Sequence, residues 1–160
     1  GSVLGGQAVG EADVDKRIDV IATAIQLGGT IFDLEQAELC YAPQFGAAKD
    51  PVNYAGMIAA NHLRGDLPLA DWRQLKPDSV LLVDVRDAEE FDTEHVPGAI
   101  NLPLNQIRRR LHELPRDREV WLYCGVGQRA YYATRVLMQN GFRVKNLAGG
   151  YRTYKLIAAA

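Results

Sequence analysis

An open, mainly parallel α/β sheet of about five strands, with helices on both faces, is the fold this sequence predicts, together with a small N-terminal α+β fragment. Three observations predict it. Short β-branched runs recur through the C-terminal half, centred on Val80–Val85, Ala99–Leu102, Val120–Cys124 and Val144–Leu147, with a shorter one near Leu67–Leu69. One of these runs ends in a cysteine and two glycines and then opens a helix, the turn a strand–helix–strand unit needs. The first 65 residues, by contrast, supply only one strand candidate and two helices, a poor core for an independent domain. The chain therefore divides into 1–65 and 66–160.

The elements follow in order. Val3-Leu4 to Ala8-Val9 reads as a short strand, and a helix opens near Asp13. Ile18, Ile21, Ala22 and Ile25 form its apolar stripe, and Gly28-Gly29 end it. Tyr41-Ala42-Pro43 to Lys49 is a loop. Asp50-Pro51 pairs an N-cap with proline at the first helical position, opening a helix through Ala55, Ile58, Ala59 and Leu63 that Gly65 closes. Leu104–Leu114 reads as a helix whose Arg108-Arg109-Arg110 run is a solvated face. Glu119–Tyr123 is a buried strand. Gln128–Asn140 repeats apolar residues at helical spacing, with Ala133, Val136 and Leu137 on one side and Gly141 as the stop.

Between those last two elements lie Cys124, Gly125, Val126, Gly127, Gln128 and Arg129. A helix N-terminus favours an anion through its free N–H groups and dipole, and the thiolate is the nucleophilic form of cysteine. The glycines permit close backbone approach, and Arg129 places a cation in the same turn. A lone cysteine at a strand end is commonly an inert small hydrophobe. The glycines and arginine distinguish this one.

Composition narrows the function. Hydrophobic residues make up 48% of the chain, enough for a core. Its two cysteines, Cys40 and Cys124, form no CxxC pair, which points to reduced thiols and a cytoplasmic setting. Cys40 reads as a buried structural thiol. The three histidines, His62, His95 and His112, are scattered, so no metal-ligand spacing exists. No apolar run is long enough to span a bilayer. Residues 1–65 carry 4 Lys/Arg against 8 Asp/Glu, and residues 66–160 carry 14 against 12, too weak a positive balance for a nucleic-acid footprint.

Val80 to Arg86 (VLLVDVR), Asp87 to Phe91 and His95 to Asn101 (HVPGAIN) resemble the first signature of the rhodanese family. The Cys124 loop and Leu147-Ala148-Gly149-Gly150-Tyr151 match its second signature and the end of its pattern, so the resemblance covers about residues 66–157. Glu94, Ala130 and Tyr154 depart from the family's usual glycine, serine and tryptophan. The resemblance implies a sulfurtransferase. Its Cys124 would take sulfane sulfur from polysulfide, a persulfide or thiosulfate, hold it as a persulfide in the ring of N–H groups from Gly125 to Arg129, and pass it to a thiol such as coenzyme A. Asp84 and Arg86 would brace the loop by hydrogen bonds and an ion pair, and His95 would support its own turn.

Asp15 to Ile25 and Leu39 to Asn53 (LCYAPQFGAAKDPVN) are similar to the C-terminal interface domain of pyridine-nucleotide disulfide oxidoreductases. The group in question is the coenzyme A-disulfide reductases and NADH oxidases that carry a fused rhodanese domain. That implies the tail of a homodimeric flavoprotein using FAD, NAD(P)H and coenzyme A, with Tyr41 near the partner subunit's substrate. The chain has no GxGxxG after a strand, so it is expected to bind neither dinucleotide itself. Two other readings stand beside sulfur transfer. One is a non-catalytic docking module. The other is a phosphatase of rhodanese-like fold, whose loop carries one more residue than the four between Cys124 and Arg129.

Overall fold

The computed structural model describes residues 1–76 and 78–159, in two compact units, Gly1–Asp66 and Leu67–Ala160. In the first unit, α1 (Val14–Gln26), α2 (Ile31–Gln36) and α3 (Pro51–Leu63) follow one another. Asp50 caps α3 by accepting the Val52 N–H at 2.9 Å, with Pro51 at the first helical position. Arg17 of α1 ties to that same carboxylate at 3.1 Å. α2 and α3 approach closely because Gly56 has no side chain: a Cβ there would lie 2.8 Å from the Leu34 carbonyl carbon. Asn53, buried beside it, donates to Leu34 O at 3.0 Å and Ala37 O at 2.9 Å.

Two expectations for this unit need correction. Val3 to Val9 is not a strand: a single antiparallel bridge joins Ser2 to Thr30, and Leu4 and Val9 are almost fully exposed. The segment finds no partner along which to form a ladder. Cys40 is exposed rather than buried, because the loop that carries it contains neither helix nor strand.

The second unit is a five-stranded sheet of β1 (Leu69–Ala70), β2 (Val80–Asp84), β3 (Ile100–Asn101), β4 (Glu119–Tyr123) and β5 (Val144–Leu147), in the order β1-β5-β4-β2-β3. Every pairing is parallel. The helices are α4 (Ala88–Thr93), α5 (Gln128–Gln139) and α6 (Gly150–Ala158).

Strand alternation builds two cores. Val83, Val85, Val120, Leu122 and Cys124 face α5 through Ala130, Ala133 and Leu137. Val80, Leu82, Trp121 and Tyr123 face the other way, against Trp72 and the α6 residues Tyr151 and Tyr154. Helices thus cover both faces, and the C-terminal ends of β2 and β4 lie side by side, with Asp84 opposite Tyr123. That is where open α/β sheets gather ligands.

Leu104–Leu114 is not the expected α-helix. It is a run of turns with i+3 bonds, such as Gln106 N–H to Pro103 O at 2.8 Å, ending in a 3-10 turn at Leu111–Glu113. Its side chains still pack, since Ile107 and Leu114 are buried.

Candidate active site

Cys124 directly follows β4 and is 1% exposed. Gly127, at φ 111°, turns the chain into α5, a conformation that favours glycine. This turn brings the Gly127 N–H to 3.2 Å from Cys124 Sγ. The first N–H groups of α5 have no helical acceptor, so the sulfur sits at the positive end of a helix.

A second helix holds the same loop from the opposite face of the sheet. The N–H groups of Tyr151 and Arg152, in the first turn of α6, donate to Cys124 O at 2.7 Å and Gly125 O at 3.1 Å. In a trans peptide the N–H points opposite to the C=O, so these bonds turn the Gly125 and Val126 N–H groups away from α6. The fit requires Gly150: its φ is +60°, and a Cβ would lie 2.8 Å from Gly125 C and Val126 N. Asn146 of β5 is a third support. It is buried and donates to Gly127 O at 3.2 Å.

Arg129 lies beside the loop but is engaged by carboxylates. Its guanidinium meets Glu90 at 2.6 and 2.8 Å and Asp87 at 3.3 Å. The Arg129 hydrogen bonds hold the Glu90 carboxyl below the usual carboxylate range.

Asp84 and Arg86 form a buried pair, with contacts of 2.7 and 2.9 Å between guanidinium and carboxylate. Burial opposes the Arg86 charge, yet the Asp84 bonds and attraction outweigh it and raise its pKa. Arg86 also donates to Glu94 O at 2.6 Å and lies 4.4 Å from the Tyr151 ring centroid. It therefore supports the loop at one remove, through the residue whose N–H holds Cys124 O. Tyr123 accepts the Val96 N–H at 3.1 Å, and burial drives its phenol well above its ordinary pKa. His95 Nδ1 contacts Phe91 O at 2.8 Å and stacks on that ring.

The structure gathers Cys124, Gly125, Val126, Gly127, Gln128 and Arg129 in one turn, with Asp84 and Arg86 behind it. Tyr41 belongs to the first unit, where it lies on an exposed loop. Sequence reasoning gave no role to Glu90, Asn146 or Gly150. The glycine pair after Leu147 and the acidic run after Arg86 were the available signals.

Gly125-Val126-Gly127-Gln128-Arg129-Ala130 spells the GxGxxA variant of the phosphate-binding fingerprint. The residues do not fit that use. The Gly127 N–H is committed to Cys124 Sγ, and α6 lies directly against the Gly125 and Val126 backbone.

The rhodanese-like domain family matches residues 70–156, and the chain belongs to it. A sulfurtransferase of Allochromatium vinosum is 46% identical over 74 residues, covering 46% of this chain and 69% of that protein. Among solved structures, reduced CoADR-RHD of Bacillus anthracis is 42% identical with a TM-score of 0.85, over 88% of this chain and 26% of that one. A NAD-dependent persulfide reductase from A. fulgidus is 39% identical with a TM-score of 0.77, over the same shares. Both likenesses extend past residues 70–156 into the N-terminal unit. The chain spans about a quarter of the length of these two solved proteins.

Proposed function

We propose that this chain is a sulfur carrier in which Cys124 accepts sulfane sulfur as a persulfide and passes it to a thiol. The observation that carries the reading is the Gly127 N–H donated to Cys124 Sγ at the start of α5. The thiolate attacks the outer sulfur of the donor, that sulfur's bond to the rest of the donor breaks, and the leaving group departs with the electron pair. The outer persulfide sulfur then bears the negative charge, which preorganised N–H groups stabilise without a general base. In the second half, an acceptor thiolate attacks the outer sulfur and Cys124 leaves as the thiolate.

The likeness to a NAD-dependent persulfide reductase supports placing the domain beside a pyridine-nucleotide reductase, and the setting we propose is a homodimeric, cytoplasmic flavoprotein. FAD and NAD(P)H would bind other parts of that protein, coenzyme A would be the acceptor, and Tyr41 would approach the partner subunit's substrate. The chain itself is expected to remain colourless after incubation with FAD.

Intact-mass analysis after exposure to a small sulfane donor tests the reading. We expect one added sulfur on Cys124 and none in Cys124→Ser. Addition mainly at exposed Cys40 would refute the site, and efficient aryl phosphate hydrolysis with no sulfur uptake would refute the chemistry.

A further inference from the structure

A buried amide stands where the sheet meets the Cys124 loop. Asn146 shares the α5-facing row of β5 with Val144 and pairs in register with Leu122 of β4. It is 3% exposed, and among the described residues it is the one buried side chain with an unmet polar atom, its Oδ1. Burying a carbonyl that no protein group meets is costly, so the worth of this residue lies at its other end. There Nδ2 donates to Gly127 O at 3.2 Å. That oxygen does not need the bond for its own satisfaction, because it already accepts the Tyr131 N–H at 2.9 Å. The amide is thus left half unmet to give a second donor to a carbonyl that has one.

The effect of that second donor runs through one peptide. The bond between Gly127 and Gln128 is trans, so the Gln128 N–H points opposite to Gly127 O. It opens α5 and has no helical acceptor. It leaves the helix at the end where the Gly127 N–H reaches Cys124 Sγ at 3.2 Å. Two donors on one carbonyl draw electrons toward its oxygen, which strengthens the N–H on the far side of the same amide. The second bond also fixes the tilt of that peptide. We infer that Asn146 is a positioning residue of the sulfur site, which aims and polarises the Gln128 N–H toward the negative charge carried on Cys124. This inference rests on the sulfur-carrier reading. Asn146 touches neither the sulfur nor the donor. It makes the donor that meets the charged sulfur a stronger one, and hydrogen bonds to an ionised partner respond most to such a change.

Two variants remove the bond. Asn146→Leu keeps the branched outline of the side chain, and Asn146→Val substitutes a smaller residue suited to a strand. The second-order rate of Cys124 loading by thiosulfate should fall on the order of threefold in both, the share of a charge-assisted bond that one polarising partner supplies. The melting temperature of at least one variant should stay level or rise, because an unmet acceptor has left an apolar interior. The Gln128 amide nitrogen should resonate upfield of its wild-type position, since the carbonyl of the same peptide has lost a donor. Loading at the wild-type rate would overturn the inference, as would an unmoved Gln128 resonance. So would a loss of stability or a failure to fold in both variants, which would make Asn146 a structural support alone. Failure of the wild type to take up sulfur would instead sink the carrier reading, whatever the resonance and the melts showed, and this inference with it.

Discussion

Asp84 and Arg86 are 0% and 5% exposed, and each is the other's counter-ion inside the protein. Removing Arg86 leaves a buried carboxylate without its cation, a loss that costs about 3–5 kcal/mol. Arg86→Met should lower the unfolding free energy in urea by that order. The double variant Asp84→Asn, Arg86→Met should lose less than the sum of the single changes. The Arg129–Glu90 pair makes a different prediction, about pH. Arg129 depresses the folded-state value of Glu90. The stability gained is therefore fully present above the ordinary glutamate value near 4.3 and is lost as pH falls through the depressed one. Denaturation profiles below about pH 4 should be flatter in Glu90→Gln than in the wild type; identical slopes would remove Glu90 from the account. At this scale the place of Cys124 between β4 and α5 was legible from local pattern, and the Asp84–Arg86 ion pair from the family resemblance. Glu90 was not, since its partner lies 39 residues away in sequence and only the folded sheet brings the two together.

Among the elements, α5 and α6 determine the shape of the sulfur loop. Inserting one glycine between Gly127 and Gln128 would lengthen the loop and move the first N–H groups of α5 away from Cys124. A shift of about 1 Å can cost on the order of a hundredfold in rate, so persulfidation should fall strongly while the fold persists. Unchanged kinetics would mean that the loop's length is irrelevant. Gly150→Ala attacks the same loop from the other face. Its left-handed φ alone should cost about 1–3 kcal/mol, and the 2.8 Å clash with Val126 N should disturb the bonds from Tyr151 and Arg152. Thermal melts and sulfur uptake should both decline. α5 was legible from its helical period and terminal glycine. Leu104–Leu114 was not: its apolar residues are buried at roughly helical intervals, but the backbone after Pro103 settles into successive i+3 turns, a difference periodicity alone does not register. α2 was missed because it has only six residues and rests on a Thr30–Asp33 capping box rather than an apolar stripe.

For the whole molecule, the contrast between the units sets where stability resides. Residues 1–66 bury few large side chains, chiefly Leu34 and Val52, whereas the sheet unit fully buries Tyr123, Leu122, Leu137 and Val83. Native-state hydrogen exchange should therefore show the slowest amides in β2 and β4, with residues 1–66 opening at lower free energy. Equal protection in both units would contradict this. The thin core of the first unit was readable from its few elements. The exposure of Cys40 was not, because a short loop sequence does not reveal what covers it.

The contact of α6 with the Cys124 loop also bears on how the protein becomes competent during translation. Cys124 is made early relative to the residues that shape its loop. Until Gly150, Tyr151 and Arg152 have emerged from the ribosome and the sheet has been closed on that side, the carbonyls of Cys124 and Gly125 lack the donors that hold them. A nascent chain stalled just past α5 would carry the cysteine and its helix yet still present an unfinished cradle. On the proposed sulfur-carrier function, loading would wait until α6 has docked.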